Sequence, residues 1–200
     1  LWLNGHDDTL GSLSLMNGAQ IATGVGGGLT SPGTLTLSGN VTNAYFQGYN
    51  SDFSGNLNLA AGTRIFHTDG WLRLSGSISG TGGITKYGYN SLQYLYCTNT
   101  YSGATIVHNG TLHVVAGSTP LGSTGTGTTV DNYGELYLEG ANISTEPLTL
   151  ISDAGPENVQ LSFRFTNVVA GAVSVTGPCH IDNSDWNDAD IAVLTLSGAI

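Results

Sequence analysis

Pairs of leucines separated by one other residue recur along the chain, with short polar stretches and glycines between them. Early examples are Leu13/Leu15, Leu35/Leu37, Leu57/Leu59 and Leu72/Leu74. Apolar residues at every second position are typical of a β-strand with one buried face. No stretch sustains the apolar spacing of three and four residues that an amphipathic helix needs. The pattern therefore predicts many short strands and no helices.

Longer phrases repeat as well. Leu-x-Leu-Ser-Gly-x-(Ile/Val) occurs at Leu35–Val41, Leu72–Ile78 and Leu194–Ile200. The segment 1–78 is related to 136–200, which begins with a similar Leu-x-Leu-x-Gly phrase and ends on the same motif. Self-similarity of this kind is typical of solenoid proteins, in which each repeat stacks on the next.

The pairs listed first are 22, 22 and 15 positions apart, intervals that suit one turn of a β-solenoid. Thirty glycines and only five prolines indicate strands joined by tight turns. We expect a parallel β-helix of about ten coils of roughly 20 residues each. Residues 1–200 are expected to form one continuous solenoid segment of a longer chain.

A family resemblance is carried by residues 80–114. Gly80–Lys86, Asn99–Ile106 and Asn109–Leu112 together resemble the autotransporter-associated β-strand repeat. The resemblance implies a right-handed parallel β-helix in an exported passenger region, either released or attached to the cell surface. It implies no catalytic residues, because the motif is structural. The chain departs from the family pattern at Leu92–Cys97, which leaves the local strand register open.

The charge balance of the chain excludes two classes of binding partner. Four Lys and Arg residues against 14 Asp and Glu give a formal net charge of -10. Binding to nucleic acid or to an anionic membrane needs clustered basic residues, so both partners are excluded. No apolar run is long enough for a transmembrane helix, so direct membrane insertion is not expected. A surface built from hydroxyls and amides favours the extracellular space, and the family resemblance adds a bacterial cell surface to the expected locations.

The two cysteines, Cys97 and Cys179, lie 82 positions apart and show no metal-ligand spacing. We interpret both as small buried residues. A disulfide between adjacent turns is the alternative.

One acidic cluster could bind a metal ion. Asp182, Asp185, Asp188 and Asp190 place four carboxylates within nine residues. Oxygen-rich loops of this kind hold Ca²⁺, although neither the EF-hand spacing nor the glycine-rich calcium repeat is present. A solvated acidic corner loop is the favoured interpretation, and no cofactor is predicted.

Tyrosines cluster in the middle of the chain. The candidates for glycan contact are Tyr87, Tyr89, Tyr94 and Tyr96, with Tyr101, Tyr45, Phe46 and Tyr49 also present. An aromatic ring with a polar edge suits the face of a sugar. Stacked aromatic residues on successive coils would also simply pack, which is the alternative.

Catalytic motifs are absent, including nucleophile elbows and phosphate loops. A glycosidase would need two carboxylates about 5 to 10 Å apart, for which Asp131, Glu135 and Glu139 are the candidates. His108 and His113 would point to opposite faces of an uninterrupted strand and so would not share a metal ion. We therefore expect no enzymatic activity.

The sequence favours a structural segment of an extracellular β-helical fibre or stalk that could associate end to end with other solenoid segments. The alternative is an adhesin-type module that binds glycans or a neighbouring cell. A carbohydrate-active enzyme is the least favoured of the three.

Overall fold

The computed structural model describes residues 1–16, 18–24, 32–45, 49–95, 98–116, 119–123, 125–143, 145–152, 159–184 and 192–198. Within these ranges the chain forms 21 β-strands and no helix. The prediction of an all-β protein is therefore confirmed. Accordingly, the described residues contain no helix that is long and apolar enough to cross a membrane.

Most coils contribute strands at three successive positions. The first-position strands are β1 (Asp8–Leu10), β4 (Thr34–Leu37), β7 (Asn56–Leu59), β10 (Ile78–Gly80), β15 (Asn142–Ile143), β18 (Thr166–Val169) and β21 (Val193–Leu196). The second-position strands are β2 (Leu13–Leu15), β5 (Val41–Asn43), β8 (Thr63–Thr68), β11 (Gly83–Tyr87), β16 (Leu148–Ile151) and β19 (Val173–Thr176). The third-position strands are β3 (Gln20–Ala22), β6 (Ser51–Ser54), β9 (Leu72–Ser75), β12 (Leu92–Leu95), β17 (Val159–Arg164) and β20 (His180–Asn183).

Two long strands run through both the second and the third position. β13 (Thr105–Val115) and β14 (Thr128–Glu139) lie side by side in the middle of the protein. Their first halves pair with β11 and β16, and their second halves pair with β12 and β17. They join the second and third positions into one 14-stranded sheet.

All of the described strand pairs are parallel, and the same position of each coil stacks on that of the next. In the first position, for example, Leu35 pairs with Leu57 and Leu57 with Ile78. The architecture is a parallel β-solenoid of about seven turns.

The expectation of about ten coils is not confirmed, because many coils are longer than 20 residues. Ile21 pairs with Phe53, which is 32 positions later in the chain. Two of the three intervals between leucine pairs are not turns. Leu13 lies in β2 and pairs with Val41, not with Leu35. Leu57 and Leu72 lie in β7 and β9 of the same coil. The extra length of a coil lies between its strands.

The repeated Leu-x-Leu-Ser-Gly phrase occurs at more than one of the three strand positions of a coil. Its leucines lie in β4 and β21 at the first position but in β9 at the third. The phrase therefore specifies a strand followed by a corner and does not fix the side of the coil on which it lies. The departure from the family pattern begins at Leu92, where β12 keeps an in-register pairing with both β9 and β13.

The core is a stack of inward-facing apolar side chains. Leu35, Leu57 and Ile78 are buried, whereas the alternating Thr36 and Asn58 face outward. Burial of each such aliphatic side chain contributes roughly 1.5–3 kcal/mol. The same alternation in every coil produces one continuous core along the solenoid.

Candidate functional site

Exposed aromatic rings mark the corner where successive coils pass from the second to the third position. Tyr89, between β11 and β12, is 87% exposed, and Trp71, just before β9, is 44% exposed. We call this surface the aromatic corner, and its members are Tyr45, Tyr49, Trp71, Tyr89 and Tyr133. Large exposed rings that recur on neighbouring coils form a patch of the kind that marks binding surfaces.

Three adjoining clefts run along the aromatic corner. The first, of about 390 Å³, lies between Tyr45, Tyr49 and Trp71. The second, of about 320 Å³, is lined by Trp71 and Tyr89 and reaches Tyr137 on the outward face of the third position. The third, of about 390 Å³, lies between Tyr89 and Tyr133. Trp71 and Tyr89 each line two of the clefts, so the clefts adjoin, and we call the three together the groove.

Glycines make the tight packing at this corner possible. Gly88 and Gly110 have φ angles of 89° and 69°, in the left-handed region that side chains rarely adopt. A Cβ atom on Gly110 would overlap the carbonyl oxygen of Gly88 on the preceding coil. The coil that carries Asn109 and Gly110 therefore lies close against its neighbour, and it presents no ring between Tyr89 and Tyr133.

A buried lysine holds the backbone beneath the groove. The Lys86 ammonium donates hydrogen bonds to the carbonyl oxygens of Tyr87 (2.8 Å), Gly88 (2.8 Å) and Asn109 (2.9 Å). Burial lowers the pKa of Lys86 to about 7, while the Asp69 carboxylate acts in the opposite direction. Since its three partners lie on two coils, Lys86 ties the corner that carries Tyr89 to the next coil.

A fixed carboxylate lines the middle cleft. Thr111 donates a hydrogen bond of 2.6 Å to one oxygen of Glu135, and Ser162 donates to the other. The two hydroxyls come from the coils on either side of Glu135. They hold the carboxylate in place as an acceptor and a negative charge beside the rings.

His113 lies in the same cleft in a fixed orientation. Its Nδ1 accepts a hydrogen bond from the Gln93 amide at 3.0 Å, so Nε2 carries the proton and donates to Glu139 at 2.9 Å. Its ring stacks on Tyr137 with centroids 4.4 Å apart. Burial lowers the pKa of His113, and the hydrogen bond to Glu139 opposes this effect. Both ring nitrogens form hydrogen bonds within the protein. His113 is therefore suited to be a fixed part of the cleft lining, and less suited to transfer protons.

The groove thus combines aromatic faces, fixed oxygen acceptors and negative charge. Rings offer an apolar face to a ligand, and the polar groups around them orient it. The negative charge disfavours an anionic ligand. The arrangement fits an uncharged ligand that carries many hydroxyls.

Comparison of the chain with protein-family models, with curated proteins and with solved structures finds no match. The resemblance to the autotransporter-associated repeat therefore stays a prediction.

The predicted tyrosines fall in different environments. Tyr89 lies in the aromatic corner, whereas Tyr87 is partly buried against His108 with ring centroids 4.6 Å apart. Tyr94 is 0% exposed, so it has no surface to offer a glycan. Tyr96 lies outside the described residues.

Sequence reasoning missed Trp71 and Tyr133, and it did not separate Tyr45 and Tyr49 from the buried tyrosines. A signal for most of these rings is present in the chain. Tyr49, Trp71, Tyr89 and Tyr133 are each adjacent to a glycine. Because glycines mark the corners of a solenoid, an aromatic residue beside a glycine leaves the inward and outward alternation of the strand.

The proposed calcium cluster falls largely outside the described residues. Asp182 is exposed in β20, while Asp185, Asp188 and Asp190 are not described. In the part of the chain that the structure describes, no group of three His, Cys, Asp or Glu side chains could hold a metal ion.

Of the two cysteines, Cys97 also lies outside the described ranges. Cys179 is a partly exposed free cysteine, not the fully buried residue that we expected.

The carboxylates of β14 separate into two environments. Asp131 pairs with His108 at 2.7 Å in the second-position half of the strand. Glu135 and Glu139 lie beside the groove in the third-position half, on the same outward side as Tyr137. His108 and His113 each pair with a different carboxylate, Asp131 and Glu139 respectively.

Proposed function

We propose that this chain is a glycan-binding segment of an extracellular or cell-surface β-solenoid. The observation that carries the proposal is the groove of three adjoining clefts along the aromatic corner, in which exposed rings from several coils lie beside fixed hydrogen-bonding groups. Large exposed rings grouped on one surface mark an interaction site, and the apolar face of a sugar is a partner that suits them.

The charge of the protein supports an uncharged partner. The formal net charge is -10, and Glu135 lines the groove itself. A polyanion would be repelled by both the overall field and the local carboxylate. The groove therefore suits neutral glycans better than nucleic acids or acidic polysaccharides.

The composition of the outward surface supports an extracellular location. Outward positions carry hydroxyls and amides in place of the usual lysines and glutamates, which fits an exported protein. We take the right-handed coil sense and the passenger-type architecture from the resemblance to the autotransporter-associated repeat, as parts of this proposal. No catalytic role is proposed.

A structural role is the second candidate, and the continuity of the core favours it. The apolar interior continues from coil to coil, as in the pairing of Leu35 with Leu57 and Ile78. A stack of this kind behaves as a stiff rod that could serve as a stalk or associate with other solenoid segments. Electron microscopy of the native material tests this role, because long filaments would support a structural polymer and isolated short rods would count against it.

A glycan array followed by titration tests the binding proposal. We expect saturable binding of a neutral glycan and a loss of affinity of about tenfold in Trp71→Ala, since one stacked ring contributes on the order of 1 kcal/mol. Trp2→Ala is the matched control, because Trp2 is also exposed and lies outside the groove. The absence of saturable binding to any glycan would overturn the proposal, as would an equal loss in both variants.

A further inference from the structure

We propose that the aromatic corner binds one extended, uncharged glycan chain that lies parallel to the solenoid axis, with one sugar residue over each coil. This inference rests on the proposed binding of a neutral glycan and adds the orientation and the length of the ligand.

The spacing of the coils supports this orientation. Neighbouring strands in the solenoid are parallel and in register, so equivalent corner positions repeat at the normal strand separation of about 4.8 Å. That distance is close to the length of one pyranose residue in an extended chain. Each coil would therefore meet one sugar, with a ring on every coil except that of Asn109 and Gly110.

The distribution of rings along the chain fits the same orientation. Tyr45 and Tyr49 lie on one coil, Trp71 on the next and Tyr89 on the one after that. A further coil contributes Asn109 and Gly110, and Tyr133 follows on the next. A glycan lying across the axis would contact the rings of one coil only, whereas a glycan lying along it contacts rings from several.

The length of the binding surface follows from this placement. From the coil of Tyr45 to the coil of Tyr133 there are four steps, or roughly 19 Å at the usual strand separation. A chain of about five sugar residues covers that distance. Shorter chains reach only some of the rings, so affinity should depend on the length of the glycan.

The charge class follows from the floor of the groove. Both oxygens of Glu135 are held by hydroxyl donors from the neighbouring coils, which keeps this carboxylate beside the path of the ligand. Glu139 accepts a hydrogen bond from His113 through one of its oxygens. A uronic acid residue above this region would place a third carboxylate near Glu135 and Glu139, whereas a neutral hexose would not.

Calorimetric titration with oligosaccharides of increasing length tests the proposal. The probes are β-1,4-linked glucose and β-1,4-linked N-acetylglucosamine oligomers of one to eight residues, and oligogalacturonate of matched length as the acidic chain. We expect Kd for at least one neutral series to fall at least tenfold between the dimer and the pentamer and then to level off. Oligogalacturonate is expected to bind at least tenfold more weakly.

Two variants show whether a single chain spans the groove. Trp71→Ala and Tyr133→Ala remove rings that lie three coils apart, so both should weaken binding of the hexamer at least fivefold. A dimer can contact only one of the two rings, so at most one variant should weaken its binding. Trp2→Ala is again the control, and a circular dichroism melt confirms that each variant is folded.

The outcomes separate this inference from the proposed function. Neutral sugar binding that levels off at one or two residues, or hexamer binding that depends on only one of the two rings, would overturn the axial orientation and leave glycan binding intact. Equal or tighter binding of oligogalacturonate would overturn the charge class. Failure of every sugar to bind would overturn the proposed function together with this inference.

Discussion

Two outward surfaces of the solenoid cover the same kind of apolar core but carry different kinds of side chain. One is the polar sheet, formed by β1, β4, β7 and β10, whose outward side chains are stacked in register as Thr9, Thr36, Asn58 and Ser79. The other is the aromatic corner. The polar sheet is a surface of short side chains, in which the Asn58 amide donates to the Ser79 hydroxyl at 3.3 Å. The aromatic corner instead forms a groove between exposed rings.

The difference between the two surfaces separates the role of the strands from the role of the corners. In the polar sheet, every second residue must enter the core, so outward side chains stand in straight rows. At the corner the backbone turns, with Gly88 and Gly110 in left-handed conformations, and large rings extend away from the coil. The strands therefore provide stability and spacing, while the corners provide the shape that a ligand could recognise.

The largest expected effect tests whether both surfaces depend on one interior. Leu57→Ala leaves a cavity between Leu35 and Ile78 beneath the polar sheet and should lower the free energy of unfolding by about 2–5 kcal/mol. Asn58→Ala at the neighbouring outward position should change it by less than about 0.5 kcal/mol. Urea denaturation monitored by circular dichroism measures both, and similar losses in the two variants would contradict the division between inward and outward rows.

The next effect tests the rigidity of the aromatic corner. Gly110→Ala combines left-handed strain with overlap against the Gly88 carbonyl, and we expect a loss of stability of about 3 kcal/mol. Gly140→Ala is the matched control, because Gly140 has a φ angle of 64° but no atom within 4 Å of the added methyl group. It should lose only about 1 kcal/mol. Equal losses would show that close packing at Gly110 is unimportant.

A third test concerns a buried carboxyl at another corner of the solenoid. Burial raises the pKa of Glu146 from the usual 4.5 to about 7, while a hydrogen bond of 2.6 Å from the Thr128 hydroxyl opposes the shift. Because the pKa is higher in the folded state, this group stabilises the protein fully below about pH 4.5, and the contribution is lost as the pH rises to about 7.

Glu146→Gln should remove that part of the pH dependence. The difference in unfolding free energy between the wild type and the variant should change by on the order of 2 kcal/mol between pH 4.5 and 7.5. Other titrating groups contribute equally to both proteins and cancel. A difference that stays constant across this interval would show that Glu146 is not a buried acid.

The smallest expected effect lies on the outward face beside the aromatic corner. Arg73 forms two hydrogen bonds with Asp52 on the preceding coil, at 2.6 and 3.0 Å, and both side chains are about one third exposed. A double-mutant cycle with Asp52→Asn and Arg73→Gln should give a coupling energy below about 1 kcal/mol that decreases with added salt. A larger coupling that is insensitive to salt would mean that outward pairs help to hold the stack together.

Much of the fold follows from local periodicity, and the remainder depends on corner length. The Leu-x-Leu pairs specify strands and their inward faces, because alternation depends only on neighbouring residues. The number of turns depends on how many residues each corner contains, as the 32 positions between Ile21 and Phe53 show. No local pattern records that length.

The site was harder to predict than the fold for the same reason. Tyr89 and Tyr94 are five positions apart, yet one is on the surface and the other in the core. Tyr94 occupies an inward position of β12, which a correct strand register would have revealed. Trp71 and Tyr133 are 62 positions apart and lie on the same corner of the solenoid, three coils from each other, only because the coils stack.

Lys86 has a consequence for the chemistry of the whole chain. It is the single lysine in the sequence, and its amine is fully buried and bound to three carbonyl oxygens. Reagents that acylate side-chain amines, including common crosslinkers and fluorescent esters, can reach it only when the coils separate. The rate at which this one amine becomes labelled would therefore report directly how often the middle of the solenoid opens.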